Sequence, residues 1–169
     1  MPFICYPVWR KRTLAHRALQ YTLDGRIDDK MKILVIDGQG GKLGRTLVEN
    51  ILSRFPEAEL TAVGTNYAAT ANMMKGGAVR AATGENPVLV ACRSADIIVG
   101  PLGIAVADSL LGEISPAMAN AVAASSAHRI LIPMNLCNTY VAGITGSTSS
   151  VITDAMDQIQ RIMKERTIL

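Results

Sequence analysis

Aromatic residues are scarce in this 169-residue chain: one Trp, four Tyr and two Phe make up 4% of it. Charge is sparse as well, at 18% of residues. The first shortage argues against a core built on large rings. Burial must come from Ala, Val, Ile, Leu and Gly instead, a balance that suits a parallel sheet covered by helices on both faces. Low charge combined with 49% apolar residues excludes a disordered chain. The three cysteines (Cys5, Cys92, Cys137) have no paired spacing, which argues against a zinc site or a redox pair. They fit reduced thiols in a cytoplasmic protein. A long apolar run is missing too. The best one, residues 97–111, is broken by Gly100, Pro101, Gly103 and Asp108, so no membrane span is expected.

The net charge of +3 belongs to one end of the chain. Of the 17 basic and 14 acidic residues, six (Arg10, Lys11, Arg12, Arg17, Arg26, Lys30) and three (Asp24, Asp28, Asp29) lie in residues 1–30, which leaves eleven of each beyond. A neutral balance gives no electrostatic reason to expect nucleic acid or an anionic membrane as partner. The start, MPFICYPVWRKR, is not a secretory signal, because its basic cluster follows the apolar stretch and two prolines interrupt that stretch. Leu14, Ala18 and Tyr21 line one face of at most a short, marginal helix. Met31-Lys32-Ile33-Leu34 then reads like a protein start running into a strand. We therefore expect residues 1–30 to be a non-native or flexible basic extension and residues 31–169 to form one domain.

That domain alternates. Residues 32–37 (KILVID) are a β-branched apolar run followed by the glycine-rich DGQGGKLG, and Leu43, Leu47, Ile51 and Phe55 then repeat at helical spacing as far as Pro56. A second strand is expected over 59–65 and a helix over 66–75, closed by Gly76-Gly77. A third strand follows over 78–82, then a helix capped by Thr83 and running to Arg93, and a fourth strand over 96–100 ending at Pro101. Ser115-Pro116 supplies a cap and a proline at the first helical position, for a helix to about Ser125. A fifth strand is expected over 129–134 and a sixth over 139–144. Ser149 or Ser150 should cap a terminal helix with Ile152, Ala155, Ile159 and Ile162 inward. The pattern predicts an α/β fold: a single Rossmann-like, doubly wound, mostly parallel sheet of five to six strands with helices on both faces.

Ligands of such sheets bind beyond the carboxyl ends of the strands, where the strand order reverses. Those ends read DGQGG, GTN, ATGEN, GPLG and PMNLCN, all small, polar or glycine-rich. The expected binding residues are Asp37, Gly38, Gln39, Gly40, Gly41, Lys42 and Gly44 of the first loop, Thr65 and Asn66 of the second, Gly100 and Pro101 of the fourth, and Asn135 of the fifth. Gly38, Gly41 and Gly44 fit GxxGxxG, and the helix from Lys42 offers unpaired N–H groups to an anion. Two features weaken a plain dinucleotide site. Asp37 would repel a phosphate unless it caps loop amides or meets a cationic or hydroxylated group. The second strand carries no acid at its end for a ribose diol.

Catalytic candidates are thin. His128 falls at the opposite end of the sheet, and Cys92 reads as helix packing. Cys137 has no histidine placed to activate it. Asp108 and Glu113 flank Leu110-Leu111 and are a candidate carboxylate pair, though surface acids on a helix are the commoner reading, and Glu85 is a candidate ligand contact. The strings DGQGGKLG, GTN, TGEN, DIIVGPLGI, ADSLLGEI and ILIPMN together resemble a family of short, uncharacterised bacterial proteins classed as a domain of unknown function. The resemblance covers nearly all of residues 31–169 and none of residues 1–30. It implies a Rossmann-like fold with a DGQGG loop and a Leu131-Ile132-Pro133 element, and it supplies no activity. Where that family often has a third consecutive glycine, this chain has Lys42.

Three readings follow. The expected one is a cytoplasmic binding module for a nucleotide-like or other small polar ligand, with a nucleotide or NAD(P) as the expected cofactor class. The second is an NAD(P)-dependent oxidoreductase completed by a homodimer, packed through residues 104–111 and 117–124. The third is an interaction protein without a ligand.

Overall fold

The computed structural model describes residues 30–134, 140–142 and 147–167. The chain divides after Lys30, and residues 31–169 form the unit that carries the sheet. Strand β1 (Lys32–Asp37) is buried along nearly its whole length. It alternates its apolar side chains between two cores, Ile33 and Val35 facing one and Leu34 and Ile36 the other. That double burial is why it reads as an unbroken apolar run rather than an alternating one. The elements after it are α1 (Lys42–Arg54), β2 (Glu59–Gly64), α2 (Tyr67–Lys75), β3 (Ala81–Thr83), α3 (Glu85–Ala91) and β4 (Ile97–Pro101). A 3-10 turn (Leu102–Ala105), α4 (Pro116–Ala124), β5 (His128–Ile132) and α5 (Thr148–Thr167) complete the described fold.

The five strands are parallel in the order β3-β2-β1-β4-β5. The chain thus moves outward from β1 to β3, then returns to β4 beside β1, and the order reverses between β1 and β4. Leu47, Val48 and Ile51 of α1, Met73 of α2 and Ala155, Met156 and Ile159 of α5 cover one face. Val88 of α3, Met118, Ala119 and Val122 of α4, and Ile104, Leu110 and Ile114 cover the other. The expected Rossmann-like, doubly wound fold is the observed one. No described helix is long and apolar enough to cross a membrane.

Several boundaries differ from the sequence reading. The third strand lies at Ala81–Thr83 rather than 78–82, because Gly77 leaves α2 with φ 105 and the chain must turn before it reaches β2. The ladder continues past Thr83, with the Gly84 amide donating to the Gly64 carbonyl at 2.8 Å, so the next helix starts at Glu85 with Gly84 as its N-cap. Strand β5 stops at Ile132, before Pro133, which has no amide to extend a ladder. Ser147 caps α5, its Oγ accepting from the Ser150 amide at 3.3 Å, in place of Ser149 or Ser150. Of the expected sixth strand only residues 140–142 are described, and they form no strand.

Candidate functional site

The reversal point puts the β1–α1 loop, the end of β2 and the segment after β4 side by side. The loop's conformation follows from what surrounds it. Gly41, the N-cap of α1, has φ 66, and a methyl there would come within 2.5 Å of the Ala69 Cα on α2. Gly38 leaves room for a close neighbour, since a methyl on it would come within 2.8 Å of both Glu113 Oε2 and Thr65 Oγ1. Gln39 between them holds a left-handed φ of 50, which an L side chain adopts only at a cost of about 1–2 kcal/mol.

Asp37 ends β1 and is buried. Its Oδ1 accepts from the Gly38 amide at 2.8 Å and its Oδ2 from the Gly44 amide at 2.6 Å. It therefore caps the loop and the first turn of α1 from behind, which resolves its awkward place beside a glycine loop. Burial pushes its carboxyl pKa up, against the pull of the Gly44 and Gly38 amides, and the charge of Glu113 adds to the rise.

Glu113 is the residue that the sequence reading passed over as a surface acid on a helix. The segment is no helix. Residues 107–113 form successive turns, with Asp108, Leu110, Leu111 and Gly112 all at positive φ, and they bring Glu113 to the β1–α1 loop and the end of β2. Glu113 Oε2 accepts from the Gln39 amide at 2.8 Å, from Asn66 Nδ2 at 2.9 Å and from the Thr65 hydroxyl. One oxygen thus joins three segments of the chain. Desolvation works to raise the Glu113 pKa, but the Thr65, Gln39 and Asn66 hydrogen bonds outweigh it and hold the carboxyl below its ordinary range.

A full account of the loop's polar groups shows what is left over. The carbonyls of Gly38, Gln39, Gly40 and Gly41 accept from the Gly41 amide, Asn66 Nδ2, Asn72 Nδ2 and the Arg45 amide respectively. Among the described residues nothing accepts from the amides of Gly40, Lys42 and Leu43. Gly40 is exposed, and a methyl on it would meet nothing within 4 Å. The loop's unengaged backbone groups are therefore donors alone.

Of the expected binding residues, Asp37, Gly38, Gln39, Gly40, Gly41, Lys42, Gly44, Thr65 and Asn66 come together here. Gly100 and Pro101 are buried in β4, and a methyl on Gly100 would overlap the Ile36 carbonyl, so strand packing accounts for that glycine. Asn135 and Cys137 lie outside the described residues. Glu85 accepts from the Ser115 hydroxyl and so ties α3 to the cap of α4. His128 is exposed at the amino end of β5, and Cys92 is buried, its thiol pKa pushed up to about 11 by burial. Ile104, Leu110, Met118, Ala119 and Val122, from the segments considered for a dimer face, are spent in the chain's own core. A separate groove of about 280 Å³ lies between α3 and the β1–β3 face, over residues such as Leu34, Thr61, Val63, Ala82 and Val90. It shares no residue with the loop cluster, its lining is largely aliphatic, and its Arg80 and Glu59 pair with each other.

A family model described as "Domain of unknown function (DUF3842)" matches residues 32–164, and the chain belongs to that family. No curated protein and no solved structure matches the chain.

Proposed function

We propose that this member of a family without an assigned activity is a binding module for a nucleotide-like ligand, held by its phosphate at the β1–α1 loop. The observation that carries the reading is the imbalance left in the loop: four carbonyls engaged, three amides open. Open amides at a helix N-terminus favour an anion through hydrogen bonding and through the helix dipole. The helix here is thirteen residues long, so the dipole is fully developed, and the exposed Lys42 adds a positive charge. Asp37 opposes this less than its charge suggests, because both its oxygens are engaged behind the loop. Gly40 lets a ligand approach the backbone without obstruction.

The test is a thermal-shift panel of nucleotides, dinucleotides and phosphosugars on the full chain, repeated on Gly40→Asp. A carboxylate at that position repels an anion, while the open space around it and its ordinary φ leave the fold alone. A ligand at a hundred times its Kd adds about 2.7 kcal/mol of stability. A rise in melting temperature confined to phosphate-bearing ligands and abolished by Gly40→Asp is the expected result. A silent panel, or a rise that survives Gly40→Asp, would sink the proposal.

A further inference from the structure

We infer that Glu113 is the acceptor for the hydroxyls of a ribose, so that the crevice takes a ribonucleotide with an unmodified 2′ position. The inference rests on the loop reading above and adds a substrate class to it.

In dinucleotide-binding Rossmann sheets a carboxylate about twenty residues past the glycine loop hydrogen-bonds the ribose 2′-hydroxyl. Strand β2 here ends in Gly64-Thr65-Asn66, which contains no acid. The acid arrives from 48 residues further along the chain and docks on that very end, through the Thr65 hydroxyl and Asn66 Nδ2. Those donors and the Gln39 amide converge on Oε2. Among the described residues nothing donates to Oε1. One oxygen is clamped and the other is open, so the carboxylate is oriented before a ligand arrives and still has an acceptor to offer.

Glu113 does not stand in for the phosphate. It leaves the Gly40, Lys42 and Leu43 amides open, and the amide that holds it, that of Gln39, is one link from Gly40. Tyr67, the next residue in the chain after Asn66, is 80% exposed. The backbone leading to Glu113 is costly. Asp108, Leu110 and Leu111 are left-handed without being glycine, a conformation that persists where its surroundings enforce it.

The experiment is calorimetric titration of the full chain with AMP, 2′-deoxy-AMP and adenosine 2′,5′-bisphosphate, which differ only at the 2′ position. AMP should bind about tenfold more tightly than 2′-deoxy-AMP, the worth of one charge-assisted hydrogen bond. The bisphosphate should bind more weakly still, because its 2′-phosphate meets the Glu113 carboxylate. Glu113→Gln should relieve the penalty on the bisphosphate, and Glu113→Ala should bring AMP and 2′-deoxy-AMP to about the same affinity. Each ratio is taken within one protein, so a general loss of affinity does not imitate the result, and the isosteric Gln variant stands if the Ala variant folds poorly. Equal binding of AMP and 2′-deoxy-AMP to the unaltered chain, with both abolished by Gly40→Asp, would overturn the role of Glu113 and leave the loop reading intact. Tighter binding of all three to Glu113→Ala would show that the carboxylate occludes the crevice, and would overturn the inference. If none of the three binds and the wider panel is silent, the loop reading fails and this inference with it.

Discussion

The two ends of the sheet use carboxylates for opposite purposes. At the amino end, Asp96 Oδ2 accepts from the Lys32 amide at 2.9 Å and from the Arg166 guanidinium at 3.0 Å, joining the start of β1 to the last turn of α5. At the carboxyl end, Asp37 and Glu113 take backbone amides and short side chains from loops that are themselves locked. The amino-end acid ties a strand amide and a helix cation together. The carboxyl-end acids take the amides of Gly38, Gln39 and Gly44 and leave those of Gly40, Lys42 and Leu43 over. On the proposed reading, what separates a fastening from a binding site is the balance of unsatisfied backbone groups, not the number of acids.

This comparison predicts that the carboxyl end is much the less forgiving. Gly41→Ala forces a methyl against the Ala69 backbone at a position whose φ of 66 already disfavours an L side chain. Overpacking and a left-handed backbone together should cost about 3–5 kcal/mol. Urea denaturation would register this as a large fall in midpoint with little change in slope. A midpoint close to that of the unaltered chain would mean that the loop and α2 slide apart easily, and the locked carboxyl end would be a misreading.

The amino end should give way gently. Arg166→Met removes the cation from a pair whose side chains keep 33% and 18% exposure, and it leaves Asp96 its bond to the Lys32 amide. Partly exposed pairs contribute about 1 kcal/mol or less. In 1 M salt, where screening acts over about 3 Å, the difference between the two proteins should shrink further. A loss as large as that of Gly41→Ala would invert the comparison.

Much of this was legible in the sequence, for physical reasons. Strand β1, its loop and α1 carry apolar periodicity strong enough to survive any tertiary context, and Ser115-Pro116 starts α4 with a cap that local chemistry alone specifies. Strand β3 was misplaced because its start depends on where it meets β2. Gly100 read as a ligand-loop glycine, whereas it makes room for the Ile36 carbonyl of the neighbouring strand. Glu113 was the main omission. Its contacts are 47 to 74 residues away in the chain, and the Leu110-Leu111 pair that delivers it is left-handed without the glycine or asparagine that would announce a turn.

Acid titration offers the finest test of the carboxyl end. Its two acids are pushed in opposite directions, Glu113 below and Asp37 above their ordinary values. A carboxyl with a depressed folded pKa binds fewer protons in the folded state. Its contribution is therefore complete above the ordinary glutamate value of 4.5 and is lost as pH falls through the folded pKa. Asp37 runs the other way. The folded state favours its proton, so its ionisation costs stability above the raised pKa, and that cost lifts as pH falls through it. Glu113→Gln should therefore be less stable than the unaltered chain at pH 7, by about 1 kcal/mol or less, because neutral hydrogen bonds replace charged ones. Easing Asp37 by removing a neighbouring charge offsets part of this, which makes it the smallest of the three effects. The gap should narrow as pH falls through the lowered Glu113 pKa and the carboxylate takes up its proton. A gap that stays constant across the acid range would mean that the three donors hold Glu113 by shape rather than by charge. The carboxylate would then lose its claim to be a tuned acceptor at the end of β2.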